Sequence, residues 1–211
     1  MIIAVRGIFF FFGLVLYALG NAIAVKVQFL GLHPWEVLNV SLFERFGLTI
    51  GTWAVICGLF LILISLIVDR RYIHYGTFLN AILIGPIMDF FLWLDILPQA
   101  TYTWLDYFIL FCGIVITGVG GGMYVAAGMG AGPRDGFMLL ISDKTRMSIS
   151  RARILVESVV LFIGFLLGGP IFIVSFIYTL IQSPVFQYAL KWLRRLLEIV
   201  KTGNKKKSAA L

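Results

Sequence analysis

The sequence predicts an all-α membrane protein: six transmembrane helices forming two inverted three-span repeats, each repeat with a short Gly/Pro-broken helix that is re-entrant or interfacial. Three observations lead there. Of 211 residues, 61% are hydrophobic and only 13% charged, with a mean hydropathy of +1.01, too little polar surface to cover a water-soluble globule. Long stretches are apolar on every face, the pattern of helices surrounded by hydrocarbon. The chain also aligns with itself at close to half its length, with an odd number of spans in each copy.

Four spans read directly as runs of 18 or more residues with few charges, at residues 7–25, 46–68, 75–94 and 107–127. Residues 158–190 are uncharged and too long for one span, and Gly168-Gly169-Pro170 supplies a turn inside that half. This divides it into a fifth span near 152–167 and a sixth near 171–190. The first span begins like a secretory signal, with Arg6, an apolar run and Ala22-Ile23-Ala24. Its 19 uncharged residues suffice to cross a bilayer and it has a counterpart in the second half, so it is expected to stay uncleaved.

Basic residues orient the spans. Arg6, the Arg70-Arg71 loop, the loop holding Arg134, Lys144, Arg146, Arg151 and Arg153, and the basic tail all belong on the cytoplasmic side. Both termini are therefore expected in the cytoplasm. Only the first external loop dissents, with Lys26 and Arg45 balanced by Glu36 and Glu44. The net charge of +7 is concentrated: residues 191–207 carry +6. That distribution suits an amphipathic tail against anionic lipid headgroups and not a nucleic-acid-binding face. Within it, residues 191–202 read as a surface helix with Trp192, Leu193, Leu196, Leu197 and Val200 toward lipid. The units are then 1–100, the first repeat; 101–190, the second; and 191–211, the tail.

The repeat rests on residues that chance does not align easily. At an offset of 99, Gly31, Pro34, Glu36, Glu44, Arg45 and Thr49 fall on Gly130, Pro133, Asp135, Asp143, Lys144 and Ser148. At 100, Gly13 and Gly20 fall on Gly113 and Gly120; at 98, Gly85-Pro86 falls on Ser183-Pro184 and Asp89 on Gln187. Three spans per copy force the second copy to enter the membrane upside down. Each copy also holds a turn followed by a short helix, starting at Pro34 and at Pro133. Proline is tolerated at a first helical position, and an acid two residues on offsets the positive helix end. Thirteen or so residues cannot span, so these segments lie in the interface or dip inward where protein buries them.

The two motifs resemble those of the YczE/YyaS/YitT-type family of bacterial integral membrane proteins. Gly31, Pro34, Trp35 and Glu36, followed by Gly47-Leu48-Thr49-Ile50-Gly51-Thr52-Trp53, are similar to its first motif; Gly132-Pro133-Arg134-Asp135-Gly136-Phe137-Met138 is similar to its second. Glu36 stands where the family has aspartate, and His33 where it has a small residue. The resemblance spans most of residues 9–190 and implies a bacterial cytoplasmic membrane location, but no substrate.

Asp89 lies well inside the third span, where an ionised carboxylate is costly unless paired or protonated. Glu157 stands four residues after Arg153, so the two could neutralise each other on one helix face. Candidate substrate-binding residues are Trp35, Glu36, Asp89, Arg134, Asp135 and Glu157, with the positive ends of the two short helices favouring anionic or zwitterionic groups. Cys57 and Cys112 sit in apolar runs without activating neighbours, and His33 and His74 lack further ligands, so neither metal nor cofactor is expected. No nucleophile–base set, P-loop or dinucleotide fingerprint supports an enzyme. A small-molecule transporter or exporter is the leading expectation, with an amphiphile-handling protein or a non-transporting accessory subunit as alternatives.

Overall fold

Glycine decides how the two halves meet. Helices α1 (Ile2–Lys26) and α5 (Leu105–Ala126) form the most extensive helix pair and run antiparallel: Gly13 faces the backbone of Gly120 and Tyr124, and Gly20 faces Gly113 and Thr117. A Cβ on Gly20 would stand 2.6 Å from the Gly113 carbonyl oxygen, and one on Gly120 would stand 2.8 Å from that of Gly13. Only a residue without a side chain lets these backbones approach so closely. The glycines that align in sequence, Gly13 with Gly113 and Gly20 with Gly120, thus meet crosswise.

The computed structural model describes residues 2–94 and 96–208, with side chains for 4–94 and 96–199. Among the described residues there are eight α-helices and no strand. After α1 come α2 (Pro34–Phe46), α3 (Ile50–Val68) and α4 (Tyr75–Trp93); after α5 come α6 (Pro133–Thr145), α7 (Ile149–Leu166) and α8 (Ile173–Ser208). The order of one long helix, one of 13 residues and two further helices therefore occurs twice. Part of the packing is exchanged in the same way: α2 lies on α7 and α6 on α3, whereas α4 lies on α1 and α8 on α5 within their own halves.

Both short helices start inside the protein and end at its surface. Residues 34–41 of α2 are all buried, and 43–49 are exposed. In α6, Pro133, Gly136, Met138 and Leu140 are buried, whereas 143–150 are exposed. Local chemistry sets these ends. Each helix begins at its proline; α2 stops at Gly47 (φ 76°), and α6 stops at Arg146 in the left-handed region (φ 55°). The following helices start at aligned hydroxyls, with Thr49 accepting from the Thr52 N–H at 3.0 Å and Ser148 from the Arg151 N–H at 3.4 Å, each satisfying an otherwise orphaned amide.

Five helices contain stretches long and apolar enough to cross a membrane: Ala4–Lys26, Ile50–Val68, Tyr75–Trp93, Leu105–Ala126 and Ile173–Ile199. This is a multi-pass membrane protein. The fifth predicted span corresponds to α7, which starts earlier, at Ile149, and is not among those five because Arg151, Arg153 and Glu157 interrupt its first half. The basic regions gather at one end of the bundle. There the Arg6 guanidinium lies beside Gly128, while Asp69 pairs with Arg71 at 2.7 Å and with Lys144 at 3.5 Å. The Arg71 guanidinium holds the Asp69 carboxyl well below the usual carboxylate range.

The tail departs from expectation. It is not a separate surface helix but the continuation of α8, and Leu193 and Leu197 pack on Ala126, with Val5 and Met123 nearby, instead of facing lipid. Trp192 is 62% exposed, as expected of a lipid-facing residue. The side chains of Val200, Lys201, Lys205, Lys206 and Lys207, the whole of Asp95 and residues 209–211 lie outside the described residues.

Because no neighbour at the α1–α5 seam can yield, Gly20→Ala is expected to destabilise the purified protein by about 1–3 kcal/mol, the usual cost of overpacking. Gly7→Ala, where a Cβ meets nothing within 4 Å, should leave stability unchanged. Equilibrium unfolding in mixed micelles checks both, and equal behaviour of the two variants would contradict the seam.

Candidate functional site where the short helices meet

The first turns of α2 and α6 face each other, and their side chains join the halves. Arg134 Nη1 donates to Glu36 Oε1 at 2.8 Å. The carboxylate is 2% exposed as a residue and is held from two more directions: Asn39 Nδ2 donates to Oε2 at 2.8 Å, and Asn21 Nδ2 to Oε1 at 3.3 Å. Thr117 Oγ1 of α5 in turn lies 3.3 Å from Asn21 Oδ1. The guanidinium sits over the Trp35 ring, 5.2 Å from its centroid, where the aromatic face attracts a cation. A buried ion pair persists only when its remaining lone pairs find partners, and Glu36 has them from Asn21 of α1 and Asn39 of α2.

Two further carboxylates flank the pair. Asp135, next to Arg134, accepts from Arg153 Nη2 at 3.2 Å and from the Tyr124 hydroxyl at 3.0 Å. Glu157 of α7, 7% exposed, accepts from Thr179 Oγ1 at 2.9 Å and stands 3.6 Å from His33 Nε2. The other His33 nitrogen, Nδ1, accepts the Trp35 N–H at 3.4 Å. The α2 cap thus orients the imidazole toward α7.

Between these groups lies a cavity of about 70 Å³, lined by Trp35, Arg134, Asp135 and Glu157 together with Tyr17, His33, Asn80, Tyr124 and Arg153 and, from α8, Gln182, Ser183 and Phe186. Trp35 Nε1 and Asn80 Nδ2 meet no hydrogen-bond partner among the described residues. The space suits about two waters, each taking roughly 30 Å³. A second, open cleft of about 750 Å³ runs between α7 and α8, and Arg153, Glu157, Ser183 and Phe186 line both spaces.

Five of the six candidate residues come together here. Trp35, Arg134, Asp135 and Glu157 line the cavity, and Glu36 anchors Arg134 from behind. Asp89 does not join them. Its Oδ1 accepts the Gly51 N–H at 2.8 Å and its Oδ2 the Thr49 hydroxyl at 2.5 Å, so it holds the start of α3. That partly buried carboxylate is stabilised by a helix end. One other expectation is corrected. Arg153 forms its salt bridge with Asp135 and acts on Glu157 only at longer range, leaving Glu157 to Thr179 and His33. Sequence reasoning passed over Asn21, His33 and Tyr124. An amide inside the uncharged run 7–25 is the one signal that pointed to the first of them.

Residues 4–191 match a family described as "Family of unknown function (DUF6198)". The chain belongs to this family. Among its relatives, the "Uncharacterized membrane protein YczE" of Bacillus subtilis is 36% identical over 189 residues, covering 89% of this chain and 86% of its own length. An "Uncharacterized protein" of Haemophilus influenzae is 30% identical over 190 residues, covering 89% and 84%. The "Uncharacterized protein YyaS" of Bacillus subtilis is 28% identical over 162 residues, covering 75% and 79%. No solved structure matches. The resemblance read from Gly132-Pro133-Arg134-Asp135-Gly136 is confirmed at the level of family.

Removing the Asp89 carboxylate should cost about 1–2 kcal/mol, as loss of a charged helix cap does, and Thr49→Val, which loses its own cap on the Thr52 N–H besides the bond to Asp89, should add less to Asp89→Ala than it costs alone. Unfolding measurements on the two single variants and the double variant test this; full additivity would refute the capping role.

Proposed function

We propose that this protein is a secondary transporter that moves a small molecule across the bacterial cytoplasmic membrane, with its site between two inverted halves. The observation that carries the reading is the Glu36–Arg134 pair, a buried ion pair where two inward-starting helices meet beside a cavity. For stability alone, apolar packing of the same volume serves as well or better, and ionisable groups at membrane depth mark substrate or ion pathways. Inverted repeats with broken helices at their interface recur in secondary transporters, an analogy of architecture.

The inverted arrangement is supported by the crosswise meeting of aligned glycines on α1 and α5 and by the exchanged packing of α2 on α7 and α6 on α3. In this reading α2 and α6 are re-entrant, α7 is the fifth of six spans with its charges turned to the cavity, both termini are cytoplasmic, and the basic end of α8 meets anionic headgroups. The protein is then a carrier and not an enzyme. A cavity of about 70 Å³ is far below the roughly 300–1,000 Å³ of ligand pockets, so this conformation is closed around the ion pairs and transport requires the halves to part.

Solid-supported-membrane electrophysiology on proteoliposomes, scanned with amines, carboxylates and zwitterions, tests the reading. A compound should give a current that Arg134→Gln abolishes and Asp89→Asn spares. Reporter fusions should read outside at Gly169 and inside at the C-terminus. A cytoplasmic Gly169, or currents indifferent to Arg134, would contradict the proposal.

A further inference from the structure

The two halves differ at one seam. In the first, α3 and α4 close on each other because Gly51 and Gly85 have no side chains: a Cβ on either would collide with the other's carbonyl oxygen. Asp89 completes that seam by binding the Gly51 amide. The aligned positions in the second half are Ser150, Ser183 and Gln187, and all three line the open cleft of about 750 Å³ between α7 and α8. A Cβ at these positions excludes the backbone contact that Gly51 and Gly85 make in the first half.

We infer that this cleft is a lateral entrance for an amphiphilic organic cation and that Glu157 supplies its counter-charge. The inference rests on the transporter reading only in assigning the bound molecule an onward path. Volume comes first. The interior cavity holds about two waters, whereas the cleft lies within the roughly 300–1,000 Å³ of small-molecule sites. Its lining comes second. Ile154, Leu161, Phe176 and Leu180 offer an apolar wall, interrupted by Glu157 and Thr179, so a molecule with one apolar and one charged part satisfies both.

Charge decides the sign. Glu36 is neutralised by Arg134 and Asp135 by Arg153. Among the described residues Glu157 is bonded to the Thr179 hydroxyl and faces His33, with Arg153 acting on it at longer range. His33 Nδ1 accepts the Trp35 N–H, so its Nε2 side is the one turned to Glu157. No lysine or arginine among the described residues forms a salt bridge with Glu157, so no fixed cation matches its charge at the point where cleft and cavity join. Lys191 also lines the cleft, but it is solvent-exposed, where water and salt screen it, while Glu157 is buried and acts at shorter range through a poorer dielectric. The other charges facing Glu157, from α6, α7 and α2, are the two closed pairs. Protonation of Glu157 cancels its charge, so proton and cation compete for one carboxylate.

Equilibrium dialysis of the purified full chain in uncharged detergent tests this with tetraphenylphosphonium and tetraphenylborate, probes of one shape and opposite charge. The phosphonium should bind about tenfold more tightly than the borate, in keeping with one nearby charge at intermediate dielectric, and less tightly as the medium is acidified. Glu157→Gln should abolish the preference and Glu157→Asp should keep it. Ser183→Trp, which fills the cleft and leaves every charge in place, should weaken both probes and guards against a misfolded Glu157→Gln. Equal binding of the two probes to the wild type, or phosphonium binding unchanged in both Glu157→Gln and Ser183→Trp, overturns the inference. Its failure is separable from failure of the transporter reading. Glu157-dependent phosphonium binding without any proteoliposome current keeps this site and sinks transport; Arg134-dependent currents without Glu157-dependent binding do the reverse.

Discussion

The Glu36–Arg134 ion pair is the constraint on which the rest of the architecture depends. A carboxylate and a guanidinium taken out of water lose several kcal/mol of solvation each, and they are kept only where both helix starts, and the groups that complete their hydrogen bonds, are brought to one point. That requires Asn21 on α1 and Thr117 on α5 to lie close, which requires α1 and α5 to touch backbone to backbone, and this in turn requires glycine at 13, 20, 113 and 120. The short helices follow from the same demand. A full-length span would carry Glu36 or Arg134 past the middle, whereas a helix that begins at an interior proline presents its first turn there.

Most of this arrangement was legible in the sequence because it is written in residue types with narrow uses. Runs without charge give the spans, aligned Gly, Pro and charged residues give the repeat, and Pro34 and Pro133 give the starts of α2 and α6. Five of the six candidate side chains converge because the aligned acids lie at equivalent helix starts. What could not be read was partnership across the chain. Asp89 looked like a site residue because its depth was evident, while its partners, Thr49 and Gly51, are about 40 residues away and bind it through a helix end and a hydroxyl. Arg153 and Glu157 were matched by helical spacing, but a partner from another helix won each of them. In the tail, amphipathic spacing identified the helix, but the apolar face of Leu193 and Leu197 meets Ala126 and not lipid.

Symmetry and its breaking divide the labour between the halves. Where the aligned residues agree, at the glycine seam and the paired helix starts, they build the close-packed centre. Where it is lost, between α7 and α8, serine replaces glycine and a cleft replaces a contact. The only buried carboxylate of the site without an arginine partner lies at that boundary. A small polar cavity thus adjoins a larger amphipathic cleft, with Glu157 lining both.

The central claim is that Glu36 and Arg134 act as one unit joining the halves, and a double-mutant cycle tests it most directly. In equilibrium unfolding of the full chain, Glu36→Gln and Arg134→Gln should each cost about 3–5 kcal/mol, because each strands a buried charge. The double variant should cost much less than their sum, with a coupling of at least about 1.5 kcal/mol. Additive losses, or single variants as stable as the wild type, would contradict the account.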